Sequence, residues 1–222
     1  MCGRYVITSA LEAIREAFGV PDPDFDWQAN YNVAPSQMVP VVRLDPSGAR
    51  QLTRLRWGLV PHWAREIPSG GNGFINARSE TAAEKPSFRD AYRRQRCLVV
   101  ADGYYEWQRR GTAKQPYLIA PPDGGPIAFA GLWALWTKGE APLETCAILT
   151  TAATGGLEEI HDRMPVILDP TDWPAWLAAE GPPDPPPAPW PGDRLTAVAV
   201  EKRVGNPKNN DAKLLTPMRT LM

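Results

Sequence analysis

The sequence has few of the groups that build a disulfide framework or a metal centre. It contains three cysteines and two histidines in 222 residues. Cys2, Cys97 and Cys146 are odd in number, far apart and not paired with histidines at the spacing of metal ligands. We therefore expect no disulfide, no metal site and no cofactor. Cys97 and Cys146 lie in apolar runs and are expected to be inert core residues.

Long apolar runs and an excess of charge of one sign are also absent. The longest apolar window, Ile127–Trp136, is too short to span a bilayer, and the first twenty residues lack a charged segment followed by a sustained apolar run. A net charge of -1 provides no global basic field for nucleic acid or an acidic membrane. The sequence thus predicts a soluble, cytoplasmic protein without a membrane partner, in which any anion site is local.

The residues that are present indicate one domain, spanning residues 1–222, with many short strands. A chain of this length that is 43% hydrophobic can bury a full core. Apolar runs bounded by proline and glycine predict strands at residues 39–44, 52–60, 97–101, 104–108, 116–119, 127–136, 144–151, 166–168 and 195–200. Because the strands do not alternate regularly with helices, we expect an α+β fold on mostly antiparallel sheet.

Helices and loops fill the intervals between these strands. Short helices are predicted after a capping box formed by Ser9 and Glu12, after residues 76–80, near residues 156–160 and at residues 171–180. Residues 30–35 are predicted to form a polar turn. The proline-rich residues 181–191 indicate a semi-rigid segment on the surface.

The second residue is a candidate nucleophile. Aminopeptidases remove an initiator methionine when the next side chain is small, so we expect the mature chain to begin with Cys2. An α-amine titrates near pH ~8 and a thiol near ~8.5, so a useful minority of each is nucleophilic at neutral pH. Such a 1,2-aminothiol condenses with an aldehyde to an imine, and its sulfur can close a thiazolidine ring. Taken alone, a cysteine at this position is more often accidental than catalytic.

Two other residues carry groups suited to proton transfer. Glu106 lies among aromatic residues on a predicted strand, where partial burial would raise its pKa. Strand alternation taken alone nevertheless favours a Glu106 that faces water. His161 lies in a polar cluster, for which a surface histidine in a turn is the ordinary explanation. The residues around Glu106 and His161 therefore do not by themselves assign either side chain a role in proton transfer.

Three arginines and one tryptophan are candidates for binding an anionic chain. Arg4, Arg78 and Arg163 each lie close in sequence to a candidate site residue, and the arginine fork matches phosphate oxygens. Each of them taken singly is better explained as a surface ion-pair partner. Trp63, in a glycine-rich loop, could stack on a base or could cover the core.

Six blocks of the sequence together resemble one known family. The blocks are Cys2-Gly3-Arg4-Tyr5, Tyr31-Asn32-Val33-Ala34-Pro35, Arg56-Trp57-Gly58-Leu59-Val60-Pro61, Asn76-Ala77-Arg78-Ser79-Glu80, Ala101-Asp102-Gly103-Tyr104-Tyr105-Glu106-Trp107 and Ile160-His161-Asp162-Arg163-Met164-Pro165. In this order they are similar to the SOS response-associated peptidase (SRAP) family. The resemblance continues to residues 204–206, and it implies a barrel-like β core with helices around it.

The resemblance also implies a function. The family binds single-stranded DNA and captures abasic sites as a DNA-protein cross-link, a thiazolidine on the N-terminal cysteine, which shields the strand from cleavage. By motif, Cys2 would be the nucleophile and Asn76 would orient the abasic sugar. Glu106 would be the acid-base residue, and His161 would assist sugar opening and reversal. Thr150, eleven residues before His161, would complete the pocket by hydrogen bonding.

The remaining implied residues would contact the DNA strand. Arg4, Arg78 and Arg163 resemble the phosphate clamps of the family. Pro35 and Trp63 resemble a wedge that stacks where a single strand meets a duplex. The family often has two adjacent tryptophans there, and this chain has His62 at the first position. The expected partner is abasic single-stranded DNA, bound by a monomer that is nucleoid-associated when it holds DNA.

Two other functions fit the same residues. Cys2, Glu106 and His161 would also suit an N-terminal-nucleophile cysteine peptidase that cleaves its own leader or another peptide. A non-enzymatic single-strand binder with a structural Cys2 is the third reading of the sequence. Incubation with an abasic oligonucleotide, followed by a denaturing gel, separates the three.

Overall fold

The computed structural model describes residues 2–178, 181 and 188–218, and in these ranges it confirms the α+β class. The strands are β1 (Tyr5–Ile7), β2 (Asn30–Val33), β3 (Met38–Leu44), β4 (Arg50–Trp57), β5 (Asn76–Arg78), β6 (Arg96–Ala101), β7 (Gly103–Arg110), β8 (Ala113–Ala120), β9 (Ile127–Trp136), β10 (Leu143–Ala152), β11 (Arg163–Pro165), β12 (Ile167–Leu168) and β13 (Thr196–Ala199). The helices are α1 (Leu11–Phe18), α2 (Arg89–Arg94) and α3 (Trp173–Leu177). Short 3₁₀ helices lie at Leu157–Glu159, Pro170–Asp172, Gly192–Arg194, Lys202–Gly205 and Ala212–Leu215.

The strands form two sheets of mostly antiparallel pairs. The smaller sheet has the order β13-β8-β7-β1-β2. The larger has the order β11-β10-β4-β3-β6-β9-β12, and β10 also pairs with β5 and β9. The pairings of β10 with β9 and with β4 bend the larger sheet into a barrel-like ring, in which the parallel contact between β10 and β4 spans only two residue pairs. The predicted barrel-like core is therefore confirmed.

Aromatic residues join the two sheets in a common core. Tyr5 of β1 packs edge-on against Trp57 of β4, with ring centroids 5.2 Å apart, and against Phe129 of β9 at 5.9 Å. All three side chains are fully buried. Each such aromatic pair contributes about 0.5–1.5 kcal/mol beyond the area it buries. The chain start is thereby anchored in the core, and this fixes the residues just before β1.

Helix α1 has the predicted apolar face but lacks the predicted cap. It ends at Gly19, whose φ of 61° suits a residue without a Cβ. The capping box of Ser9 and Glu12 is wrong, because the residue before the helix is Ala10 and no side chain caps the first turn. The hydroxyl of Ser9 donates instead to Asp102, at 2.6 Å, on the turn before β7. A long-range partner thus replaces the local one.

Two further local predictions are wrong because strand pairing overrides them. The predicted polar turn at residues 30–35 begins with strand β2, which pairs with β1. The helix predicted after residues 76–80 is absent at that point: residues 76–78 form β5, which lies parallel to β10, and turns follow until α2. The strand predicted at residues 52–60 ends at Trp57. The other predicted strands correspond to β3, β6 to β10, β12 and β13.

The later helix predictions are partly confirmed. A 3₁₀ helix, Leu157–Glu159, occurs where a short helix was predicted near residues 156–160. The helix predicted at residues 171–180 is α3, preceded by a 3₁₀ turn, and it ends at Leu177. Residues 179–180 and most of the proline-rich segment at residues 181–191 lie outside the described residues.

The three cysteines all lie within the described residues. Cys2, Cys97 and Cys146 are free and buried, which confirms the latter two as core residues. Among the helices of the described ranges, none is both long and apolar enough to cross a membrane.

Candidate active site

Cys2 is held at the start of the smaller sheet. Strand β1 lies antiparallel to β7 with Tyr5 opposite Tyr104, and the Tyr105 amide donates to the Arg4 carbonyl at 2.9 Å. Continued towards the chain start, this register brings the Cys2 segment alongside Glu106. The Cys2 side chain is fully buried there.

Burial changes the expected chemistry of the Cys2 thiol. Desolvation, reinforced by the negative charge of Glu106, raises the pKa of Cys2 well above its ordinary value. The sequence-based expectation of an ordinary thiol with a useful thiolate fraction is therefore wrong. At neutral pH the sulfur is protonated. It can therefore act as a nucleophile only if a neighbouring group removes its proton.

Glu106 is buried rather than solvent-facing. Glu106 is only 4% exposed, because strand β7 is covered on both faces. Tyr104 packs in the main core, and Tyr105 packs in a second apolar cluster under the C-terminal segment. The expectation drawn from alternation alone is thus wrong. Desolvation by burial raises the pKa of Glu106 to about 7. Such a carboxyl exchanges protons readily near neutral pH.

His161 faces Glu106 from the turn before β11. Its Nε2 lies 4.0 Å from the Glu106 carboxylate, and its Nδ1 accepts a hydrogen bond of 3.0 Å from the Arg163 amide. The same Nδ1 also lies 2.8 Å from the carboxylate of Asp162. Burial lowers the pKa of His161, which keeps the ring neutral at pH 7. The side chain is 28% exposed, so it is not a fully solvated turn residue.

Asn76 joins the same cluster from the larger sheet. It begins β5, and its Nδ2 donates to the Cys2 carbonyl at 2.8 Å. That bond fixes the orientation of the amide. Its Oδ1 is buried and has no hydrogen-bond partner among the residues that the structure describes. A buried acceptor left in this state costs about 1–3 kcal/mol, which a donor on a bound molecule would offset.

Arg163 is engaged by protein groups beside this cluster. Its guanidinium forms a two-pronged ion pair with Glu80, at 2.6 and 2.8 Å, and donates to the carbonyl and, at 3.3 Å, the hydroxyl of Thr150. The bonds from Arg163 lower the pKa of Glu80. The ion-pair alternative therefore holds for Arg163, and Glu80 is a partner that sequence analysis did not identify.

The other two arginines differ in their surroundings. Arg4 is half-buried and donates to the side chain of Asn32 at 2.9 Å and to the Val204 carbonyl at 3.1 Å, so it ties the chain start to the C-terminal segment. Arg78 is exposed, and its side chain has no hydrogen bond or ion pair to any described residue. Arg78 is thus accessible to solvent, and its charge also contributes to the lowered pKa of Glu80.

Pro35 and Trp63 have different surroundings. Pro35 and Asn76 line one cavity of about 290 Å³, together with Phe74 and Ile75. Trp63 is 48% exposed, and its indole nitrogen donates to the Pro86 carbonyl at 3.4 Å. Trp63 is not among the residues that line the cavity at Pro35.

A larger cavity opens on the other side of the cluster. It has a volume of about 500 Å³, and its lining residues are Glu106, Trp107, Arg109, Lys114, His161 and Gly205. Sequence analysis did not identify Arg109 and Lys114. The available signal was a tight hairpin turn with basic residues on both sides, directly after Glu106. In the described ranges, this cluster included, no group of three or more histidine, cysteine or acidic residues is arranged to hold a metal ion.

Comparison with known proteins gives consistent matches. The model of the family "SOS response associated peptidase (SRAP)" matches residues 1–207. Abasic site processing protein YoqW of Bacillus subtilis is 40% identical over 224 residues, which cover 97% of this chain and 99% of that protein. Abasic site processing protein YedK of Escherichia coli is 31% identical and covers 98% of this chain and 100% of its own. A crystal structure from Bordetella bronchiseptica superposes with a TM-score of 0.78 at 29% identity, over 90% of this chain and 100% of that one.

Proposed function

This chain belongs to the SRAP family, and we propose that it binds single-stranded DNA and captures abasic sites covalently through Cys2. The observation that supports this most directly is the convergence of four polar groups at the chain start. Asn76 donates to the Cys2 carbonyl, the charge of Glu106 acts on the Cys2 thiol, and Glu106 lies 4.0 Å from His161. In this proposal Met1 is removed, so that the reactive amine belongs to Cys2.

The first step is the opening of the abasic sugar. An abasic site is mostly a closed hemiacetal, in which the ring oxygen must gain a proton and the C1′ hydroxyl must lose one. Neutral His161 and the half-protonated carboxyl of Glu106 can supply and accept these protons. The unpartnered Oδ1 of Asn76 can accept a hydrogen bond from a sugar hydroxyl without titrating.

The second step forms the cross-link. The Cys2 amine attacks C1′ of the aldehyde, and the oxygen leaves as water with a proton from Glu106, giving an imine. The sulfur then attacks the same carbon, and its proton passes to the nitrogen, which closes the thiazolidine. One water is released for each cross-link. Because closure removes the imine, the neighbouring C2′ proton is no longer acidified, and β-elimination of the strand is suppressed.

Binding of the strand depends on local cations. Exposed Arg78 is available to a phosphate as it stands, while Arg4 and Arg163 support the site through their bonds to Asn32, Glu80 and Thr150. The cavity at Pro35 offers an apolar wall to a neighbouring base. Since the captured position carries no base, no sequence readout is needed.

The peptidase alternative fits the geometry less well. A cysteine peptidase attacks with a thiolate, which requires a lowered thiol pKa. Burial and Glu106 raise the pKa of Cys2 instead. The arrangement favours an amine that reacts first and a sulfur that follows.

Incubation with an oligonucleotide that carries one abasic site tests the proposal. We expect a product on a denaturing gel that is stable without reductant, with an intact mass equal to protein plus oligonucleotide less one water. A tetrahydrofuran analogue, which has no aldehyde, and a form of the protein that retains Met1 are the controls. Equal cross-linking by the Met1-retaining form, confirmed by mass, would show that another side chain is the nucleophile.

A further inference from the structure

The hairpin that follows Glu106 carries two cations in an unusual arrangement. Arg109 on β7 and Lys114 on β8 are direct cross-strand partners, and both side chains are exposed. Like charges directly opposite each other in a sheet are destabilising. Neither residue has a carboxylate within ion-pair distance in the described part of the chain. The fold therefore retains a repulsive pair without internal compensation.

These two cations line the cavity that contains the proton-transfer groups. Arg109 and Lys114 share the cavity of about 500 Å³ with Glu106 and His161. The charge of Arg109 also reaches the imidazole, since it is one of the causes that lower the pKa of His161. A molecule processed at Glu106 and His161 would thus have a positively charged wall beside it.

The shape and chemistry of this wall suit a phosphodiester. The Arg109 guanidinium offers a planar pair of donors, and Lys114 adds a compact point charge on the opposite strand. The half-buried ring of Trp107 forms an apolar floor, and Gly205 contributes only backbone. A phosphate is joined directly to the abasic sugar on each side, so a sugar at Glu106 places one phosphate within this cavity or at its rim.

We propose that Arg109 and Lys114 form a phosphate subsite that holds the DNA backbone on the His161 side of the captured sugar. This inference rests on the proposed function. It gives the strand a direction across the protein, from the cavity at Pro35 and Asn76, past Cys2, to the basic cavity. It also means that the two flanking phosphates of the abasic site are held by different residues.

The test measures non-covalent binding to a single strand with a tetrahydrofuran site as a function of salt. Each phosphate contact on a single strand contributes about 0.7 to the slope of log K against log salt. Because the two cations hold one phosphate between them, Arg109→Ala combined with Lys114→Ala should reduce the magnitude of the slope by about 0.7. Arg110→Ala is the matched control, because it removes a cation from the same hairpin at a position that does not line the cavity.

A second set of probes locates the phosphate. Oligonucleotides with one neutral methylphosphonate, on the 5′ or the 3′ side of the abasic position, should each bind the wild type more weakly. The double variant should lose its sensitivity to one of these substitutions and keep its sensitivity to the other. Equal sensitivity of wild type and double variant to both probes would overturn the subsite.

An added carboxylate provides an independent variant. A Cβ at Gly205 would meet no atom within 4 Å, so Gly205→Asp can place a negative charge in the cavity without a clash. It should weaken binding most at low salt, and unchanged binding would contradict the proposal.

Failure of the wild type to cross-link an abasic strand would refute the proposed function. Cross-linking with identical salt slopes in the wild type and the double variant would refute only the subsite.

Discussion

Replacement of Glu106 by glutamine should stabilise the protein at high pH and leave its stability unchanged at low pH. Burial raises the pKa of Glu106 from its ordinary value of 4.5 to about 7. A folded-state pKa above the unfolded one means that the protonated form stabilises the fold, and this contribution is lost as the pH rises through about 7. Since one pKa unit corresponds to about 1.36 kcal/mol, ionisation of buried Glu106 costs about 3 kcal/mol. Glutamine has the same shape and cannot ionise.

Urea unfolding followed by tryptophan fluorescence measures this effect directly. The free energy of unfolding of Glu106→Gln, minus that of the wild type, should be close to zero at about pH 4 and should approach about 3 kcal/mol at about pH 8. The difference isolates Glu106, because the other titrating groups are shared. Exposed Glu140→Gln is the control and should show no such trend. A difference that is the same at both pH values would refute the assignment of Glu106 as a buried carboxyl with a raised pKa.

Four further outcomes test the division of roles within the site. Glu106→Gln should slow cross-linking at saturating DNA but leave the affinity for DNA near normal, because proton transfer is lost while the cations remain. A variant that loses affinity but cross-links at the normal rate would contradict this. His161→Ala should slow capture of the closed hemiacetal but spare a pre-formed aldehyde, and equal rate defects on both substrates would assign the histidine another role. Cys2→Ala, with Met1 removed, should give only an imine that requires borohydride to survive a denaturing gel, and its strand should be cleaved more than that of the wild type. The wild-type salt slope should be about -2 for three phosphate contacts, and Arg78→Ala should reduce its magnitude by about 0.7; a wild-type slope near zero would exclude backbone binding.

The sequence predicted the long strands better than the short ones. Strands such as β9 and β10 carry enough apolar residues to be recognised locally, and both were predicted. Strands β2 and β5 have only four and three residues, with asparagine at the first position of each. Their extended conformation comes from partners elsewhere in the chain, β1 and β10. Short polar segments of this kind are indistinguishable from turns without knowledge of the pairing.

The candidate site shows the same limit at the level of side chains. The resemblance to a family indicated Asn76, Glu106 and His161, but only the structure gives their environments. Alternation along β7 could not reveal that both faces of the strand are covered, because the second cover comes from residues near Val204 and Leu214. The partners of Arg163 were equally hidden, since Glu80 lies 83 positions away in sequence.

Burial of Cys2 has a consequence for the order of steps in the proposed reaction. Desolvation holds the thiol protonated, so sulfur is a poor first nucleophile, while an amine needs only to lose a proton to its surroundings. In the proposed reaction, the imine carbon is the electrophile for sulfur, and the thiol proton passes to the imine nitrogen of the same residue, which becomes the ring amine. Glu106, with a pKa of about 7, lies beside both groups and can relay that proton. In this proposal, the same apolar surroundings that suppress the thiolate before capture would favour the neutral, ring-closed product after it.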